Sequence, residues 1–296
     1  MSEIKLFGVS AEAGEYFKKV YKKYLNQTKL IIFSRSNKRS IYFDLNSSLY
    51  PKELFLKEET LLISLAPIWL FVPFLKNYIN KKNQDKIKGI IVTSSTSLNT
   101  KKYSWNKFDK KLYSELSYWE EELIKINKKF DLKVTIIRPT MIYGDIGYEE
   151  DKNISFIINL MRKNLFLPIP KETGIRQPIH YSQLINCILK ISNSCLNSSK
   201  NTGKLSILNL GGDEELSYEK MLQRIKRNLS KEYILKKCFL IKIPNRIFFL
   251  IISPIILISP KYYESILRIS VNMGDFQPSY KIHGKKGAKF PVRIRK

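Results

Sequence analysis

The chain has 296 residues, 44% of them hydrophobic, with 12 glycines and 12 prolines. That composition supplies a core for one large domain or two closely packed ones, and it excludes collagen-like and low-complexity classes. The formal charge of +26 suits an anionic partner. Lysine is spread along the chain, however, with no zinc-finger spacing, RNP-like strand or long basic heptad helix, so nucleic acid is not the expected partner.

In chain order, Ile4–Gly8 reads as a first strand and Ala11–Tyr24 as the first helix. No signal peptide is expected ahead of that strand. Leu30–Phe33 and Ile41–Phe43 are the next two strands, and Leu61–Leu65 is the fourth, followed by a helix over Trp69–Ile79. The run Leu61–Leu75 holds two prolines and reads as a buried strand, then a turn. Ile87–Thr93 is a fifth strand. Leu112, Leu116, Trp119 and Leu123 fall on one side of a helix over Leu112–Lys128, and Val134–Ile137 is a sixth strand.

After Pro139 the rhythm changes. A loop to Lys152 precedes a helix at Ile154–Lys163, an extended Leu167–Pro170, a helix at Ser182–Ser192 and a strand at Ser206–Leu210. Asn193–Lys204 reads as a surface loop, the remainder as mostly helical, and Lys281–Lys296 as a loosely ordered basic tail. Ile247–Ile258 is interrupted by Pro254 and is shorter than the ~20 apolar residues of a spanning helix. It reads as a buried helix pair or, flanked by Lys242, Arg246 and Lys261, as a monotopic membrane contact.

Strand–helix alternation implies an α/β fold: a Rossmann-type doubly wound parallel sheet with a smaller, mostly helical C-terminal substrate region. The expected division is 1–145 for a dinucleotide-binding half and 146–296 for the substrate side, with about 180–212 returning to the first core.

Cys187, Cys195 and Cys238 are odd in number and widely spaced, and the only histidines are His180 and His283. Neither a disulfide framework nor a metal site is expected, and a reducing cytoplasm fits. His180 is expected to be packed, and Ser182 to cap the helix that follows it.

The chemistry is expected first at Gly8-Val-Ser10-Ala11-Glu-Ala-Gly14, where strand one meets helix one. Glycine there permits a tight turn and close approach of a pyrophosphate to the helix N-terminus. Ala11 stands where a third glycine is usual and adds one methyl group. Strand two ends at Ser34-Arg35, and a guanidinium at that place suits the 2′-phosphate of NADP(H) better than the ribose diol of NAD(H).

Further segments follow in order: Val92-Thr-Ser94-Ser95-Thr96-Ser97, Arg138-Pro139-Thr-Met-Ile-Tyr-Gly144, Arg176-Gln-Pro-Ile-His-Tyr181, and Asn209-Leu-Gly-Gly212 with Leu216-Ser-Tyr218. Together they resemble the extended short-chain dehydrogenase/reductase family, over about residues 4–230. The likeness is nearest to its atypical members, described as nucleoside-diphosphate-sugar epimerase-like. The resemblance implies an NAD(P)-dependent epimerase, dehydratase or reductase acting on a nucleotide-activated sugar or related metabolite. It places Gly8, Ser10, Ala11, Gly14, Ser34, Arg35, Ser94 and Pro139 at the cofactor, and Thr96, Asn153 and Arg176 at the substrate.

Ser95 and Tyr113 would be the catalytic pair. The family pattern is Tyr-x-x-x-Lys, in which lysine lowers the tyrosine pKa. Here Ser117 follows Tyr113 at that distance, and the alternative register on Tyr118 supplies no lysine either. Two other readings therefore stand beside the enzyme: a catalytically silent NAD(P)-binding sensor or assembly factor, and a peripheral membrane protein. Related folds also imply a homodimer.

Overall fold

The chain enters the sheet at once. In β1 (Ser2–Phe7) every residue from Glu3 onward is buried, a continuous run expected of a parallel strand covered on both faces. Then come α1 (Ala11–Val20), β2 (Thr28–Ser34), β3 (Ile41–Tyr42), β4 (Thr60–Ser64), α2 (Ile68–Tyr78), β5 (Ile87–Thr93), α3 (Ser97–Thr100), α4 (Lys107–Phe130) and β6 (Val134–Pro139). The computed structural model describes residues 2–36, 38–144, 154–198, 203–229 and 238–292, with the main chain alone at Ala11.

Beyond β6 lie β7 (Ile142–Tyr143), α5 (Ile154–Lys163), β8 (Phe166–Pro170), β9 (Ile175–Arg176), β10 (Ile179–His180), α6 (Tyr181–Leu196) and β11 (Leu205–Gly211). The last third contains β12 (Leu216–Ser217), α7 (Tyr218–Asn228), β13 (Phe239–Ile243), α8 (Asn245–Ile252), α9 (Ile255–Ile258), α10 (Pro260–Leu267), β14 (Gln277–Pro278) and α11 (Ser279–His283).

The chain divides into two units, residues 1–98, 113–139 and 184–209, and residues 99–112, 140–183 and 210–296. The first holds a sheet of order β11-β6-β5-β4-β1-β2-β3, and the end of β11 lying in the second unit pairs with β14. The pairs from β3 to β6 are parallel. This is a doubly wound α/β sheet: β1 pairs with β2 on one side and β4 on the other, so the order reverses beside it.

An aromatic cluster holds α2 against the sheet. The Phe7 ring lies 5.2 Å from those of Phe33 and Phe71 and 5.4 Å from that of Phe74. Pro73 sits inside α2 and removes a helix hydrogen bond, yet Phe71, Val72, Phe74 and Leu75 are buried. Their burial outweighs a loss of about 3 kcal/mol. Lys5, wholly buried in β1, donates from Nζ to the carbonyls of Glu53 and Phe55 and so fastens that loop.

In the second unit, β7 pairs with β10 and β8 with β13 in parallel, and β9 with β12 antiparallel. Its core gathers Tyr143, Ile157, Met161, Met221, Leu222, Ile225 and Phe290. Here the sequence expectations need correction. β7 interrupts the expected loop after Pro139, and Asn193–Leu196 form the last turn of α6 instead of a surface loop. The tail is fastened through Val292: Ala288 N donates to Asp213 Oδ2 at 2.9 Å, Phe290 N to Glu214 Oε2 at 3.0 Å and Val292 N to the Tyr143 hydroxyl at 2.9 Å. Within Ile247–Ile258 only Phe248 and Ile252 are buried, so this is no fully buried helix pair. Among the described residues no helix is long and apolar enough to cross a membrane.

Candidate functional site

A cavity of about 330 Å³ opens in the first unit where the strand order reverses, lined by Gly8, Ser10, Ser34, Arg35, Asp44 and Ala66 among others. Gly8 directly follows β1 at φ +69°, and a Cβ there would fall 2.3 Å from the Ala66 Cβ. Only glycine fits, both for its backbone angle and for this close approach. Ser10 caps α1, its Oγ accepting from Ala13 N at 3.4 Å, and Gly14 N donates to Ser10 O at 2.9 Å inside the first turn. The remaining N–H groups of that turn are oriented along the helix axis toward its start.

Ser34 serves the turn geometry. Its hydroxyl donates to Val9 O at 3.3 Å and accepts from Ser36 N at 3.3 Å. Arg35 is mostly exposed, with Nη1 3.5 Å from Asp44 Oδ2. Asp44 also accepts from Asn46 N at 3.0 Å. That main-chain bond, together with the nearby guanidinium, holds its carboxyl below the usual range. Sequence reasoning missed Asp44. The available signal was an acid two residues after the short third strand, which pairs Phe33 with Ile41 and Ser34 with Tyr42 and so carries Asp44 beside Arg35.

A second group forms at the ends of β5 and β6. Ser94 N donates to Ile137 O at 2.7 Å, and Thr96 donates from both N and Oγ1 to Pro139 O at 3.1 Å. Thr96 is thus turned onto the main chain. Ser95 Oγ accepts from Ser97 N at 3.1 Å, at the start of α3. Ser94 Oγ is buried with no hydrogen-bond partner among the described residues, an arrangement that costs free energy unless something supplies one.

Tyr113 is half-buried on α4. One turn on, Ser117 Oγ donates to Glu121 Oε1 at 3.4 Å, so that position contributes no cation. Arg138 makes a two-pronged pair with Glu120, Nε lying 3.0 Å from Oε1, and braces β6 against α4.

Arg176, expected at the substrate, where a guanidinium could clamp a diphosphate, has another geometry. Its Nη1 donates to the carbonyls of Ile175 and Val271, both at 2.7 Å, and Nη2 to that of Arg268. The guanidinium stands 5.4 Å over the Tyr218 ring, and burial pushes its pKa down to about 10. These contacts brace the 268–271 segment and take up donors that a diphosphate would need. Asn153 lies outside the described residues.

His180 is buried, with Nδ1 2.7 Å from Ser182 Oγ. Ser182 is not the expected N-cap, because α6 already starts at Tyr181. Gln183 Oε1 instead accepts from His180 N at 2.9 Å and closes the turn.

The second unit has its own cavity, of about 400 Å³, lined in part by Thr100, Ser104, Glu264, Arg268 and Asn272. Beneath it Arg268 Nη2 meets Asp109 Oδ2 at 2.8 Å, and Glu264 accepts from the Trp105 main chain at 3.3 Å. Burial alone would raise the Asp109 pKa. The bonds from Lys101, Asn106 and Arg268 overcome that and hold it at about 2. The sequence hint was Asn106 three residues before Asp109, a helix-capping spacing; Asp109 N indeed donates to Asn106 Oδ1 at 2.9 Å.

No protein-family model and no curated protein matches the sequence. Solved structures do match. One is the NAD complex of dTDP-glucose 4,6-dehydratase from Bacillus anthracis, at 14% identity and a TM-score of 0.56, covering 83% of this chain and 86% of that one. MoeE5 in complex with UDP-glucuronic acid and NAD matches at 13% identity and 0.58, covering 97% and 94%. A short-chain dehydrogenase/reductase superfamily protein from Agrobacterium tumefaciens, with bound NAD, matches at 11% and 0.58, covering 82% and 86%. At these identities the likeness defines a fold. The chain is an α/β protein with the doubly wound architecture that these structures share.

Proposed function

We propose that the chain binds NADP(H) in the first unit and acts as an epimerase-, dehydratase- or reductase-like protein on a nucleotide-activated sugar. The cavity where the strand order reverses carries the proposal, because it opens beside the tight Gly8–Ser10 turn that leads into α1, a turn that packs on Ala66 so closely that it admits no side chain at Gly8. The residues suit a dinucleotide. Gly8 and the start of α1 offer N–H groups to a pyrophosphate. Arg35 reaches a ribose 2′-phosphate, and Asp44 moderates that choice by its competing charge. The Ser94 hydroxyl, unpartnered among the described residues, supplies a buried donor at the strand ends. When bound, the nicotinamide would accept or return a hydride. The protein's part would be to hold the sugar near Ser95 and to move a proton at the Tyr113 hydroxyl.

A second reading, binding without turnover, is favoured by one observation. The place of the expected lysine is taken by the Ser117–Glu121 pair. In the family's pattern that lysine is what readies the tyrosine to exchange a proton, and a serine carries no charge to do so.

Fluorescence titration with NADPH and NADH, followed by a panel of UDP- and dTDP-sugars, tests both. Binding of NADPH that Gly8→Val abolishes, with conversion of one sugar, is the expected result. Binding without conversion selects the second reading, and no binding of either dinucleotide overturns the proposal.

A further inference from the structure

Of the segment β13–α8–α9–α10 only Glu264 lines the second cavity, and the rest shows an unusually apolar surface. In α8, Phe248 and Ile252 point inward at 3% and 7% exposure, while Ile247, Leu250 and Ile251 recur at helical spacing on the outer face, Leu250 at 73%. The next turn is more open still: Leu257 and Ile258 are 88% and 84% exposed, between Pro254 and Pro260. The helix thus buries one apolar stripe and shows a second. Soluble surfaces rarely leave such apolar area contiguous without a use.

The surroundings of this face identify its occupant. From Cys238 to Tyr263 the sequence contains no aspartate or glutamate, while Lys242, Arg246 and Lys261 fall within it. Lys242 is paired with Glu219 at 2.9 Å, whereas Arg246 and Lys261 are exposed at either end of the apolar stretch. Aromatic side chains of mixed character stand with Lys261. Its Nζ lies 5.3 Å from the centroid of the exposed Phe108 ring, Tyr262 is exposed beside it, and Trp105 packs at 6.4 Å on Tyr263. Aliphatic tips, amphipathic aromatics and lysine or arginine at the rim match, in that order, acyl chains, the interfacial zone and anionic headgroups. A second copy of this chain would bring another +26 charge against the same rim.

We infer that the α8–α10 face is a monotopic docking surface for an anionic membrane, entering the headgroup boundary through Leu250, Ile251, Leu257 and Ile258. The short helices bar a spanning role, and the Pro-bounded turn forms the insertion tip. The face is built from residues of the second unit alone, and its test does not depend on the dinucleotide reading.

The full chain is floated with vesicles of phosphatidylcholine alone or with roughly one-third phosphatidylserine, at low and high salt. Binding to the anionic vesicles, weakened by salt, with a blue shift of tryptophan emission, is expected. Leu257→Asp combined with Ile258→Asp changes two solvent-exposed tips, so the fold should survive, as circular dichroism would check. It should weaken binding by about tenfold or more. If the double variant floats as well as the parent, charge alone attracts the protein and the inference fails. It fails also if neither protein floats, or if sedimentation shows a dimer that the double variant dissociates and that vesicles do not compete for.

Discussion

At the residue scale, the Arg35–Asp44 pair decides more than its weak geometry suggests. Its separation of 3.5 Å and the exposure of Arg35 make it worth little to stability. Toward a ligand the two charges act in opposite directions. Arg35→Ala should weaken NADPH binding by roughly fivefold to tenfold while leaving NADH nearly unchanged, and Asp44→Asn should strengthen NADPH binding; paired fluorescence titrations would show it. Equal losses for both dinucleotides in Arg35→Ala would remove the guanidinium from the 2′-phosphate. Gly8 and Arg35 were legible because each follows directly from a strand end. Asp44 was not, since its place depends on the β2–β3 register. His180 carries a separate prediction. Burial holds its pKa near 4 against an ordinary 6.5. The unfolded chain therefore takes up a proton first as pH falls, and stability should be full above 6.5 and decline between 6.5 and about 4, by about 3 kcal/mol in all. Urea melts at pH 7.5 and 5 should differ accordingly, and His180→Gln should flatten that part of the difference. An unchanged slope in the variant would place the titration elsewhere.

At the scale of elements, legibility follows strand length. Five strands of the first half, β1, β2, β4, β5 and β6, announce themselves as apolar runs because both sheet faces are covered, and α4 by its repeat of leucines and Trp119; β3 is only two residues long. In the second half, β7, β9, β10, β12 and β14 are two residues each, too short for any period to register. They exist through partners far along the chain, as when Leu216 meets Arg176. The tail shows the same limit. Its lysines suggest solvent, but Phe290 is buried 5.1 Å from the Tyr143 ring, and Arg224 Nη1 donates to its carbonyl at 2.9 Å. Phe290→Ala should cost about 3–5 kcal/mol, the usual range for emptying an aromatic site. Denaturant unfolding would measure the loss, and hydrogen exchange should show residues 288–292 released. A change within about 0.5 kcal/mol would mean that the backbone bonds to Asp213 and Glu214 hold the tail without its ring.

At the scale of the whole molecule, 52 lysines and arginines against 26 acids set up a field that no local contact describes. Its clearest consequence is kinetic. A cleft in a strongly positive molecule draws anions from a distance, and salt screens that attraction over about 10 Å at 0.1 M. Stopped-flow association of NADPH should therefore slow by about tenfold between low and high ionic strength. NADH should slow less, because it lacks the 2′-phosphate. The field and the contact can be separated. Removing Arg35 deletes one charge of a +26 excess, so the salt slope for NADPH should persist in Arg35→Ala while dissociation quickens. If the slope disappears with Arg35, steering is local, and the net charge serves another surface. An NADPH rate indifferent to salt in the parent protein would show that the field does not reach the cavity, and would leave the α8–α10 face as the place where the positive charge acts.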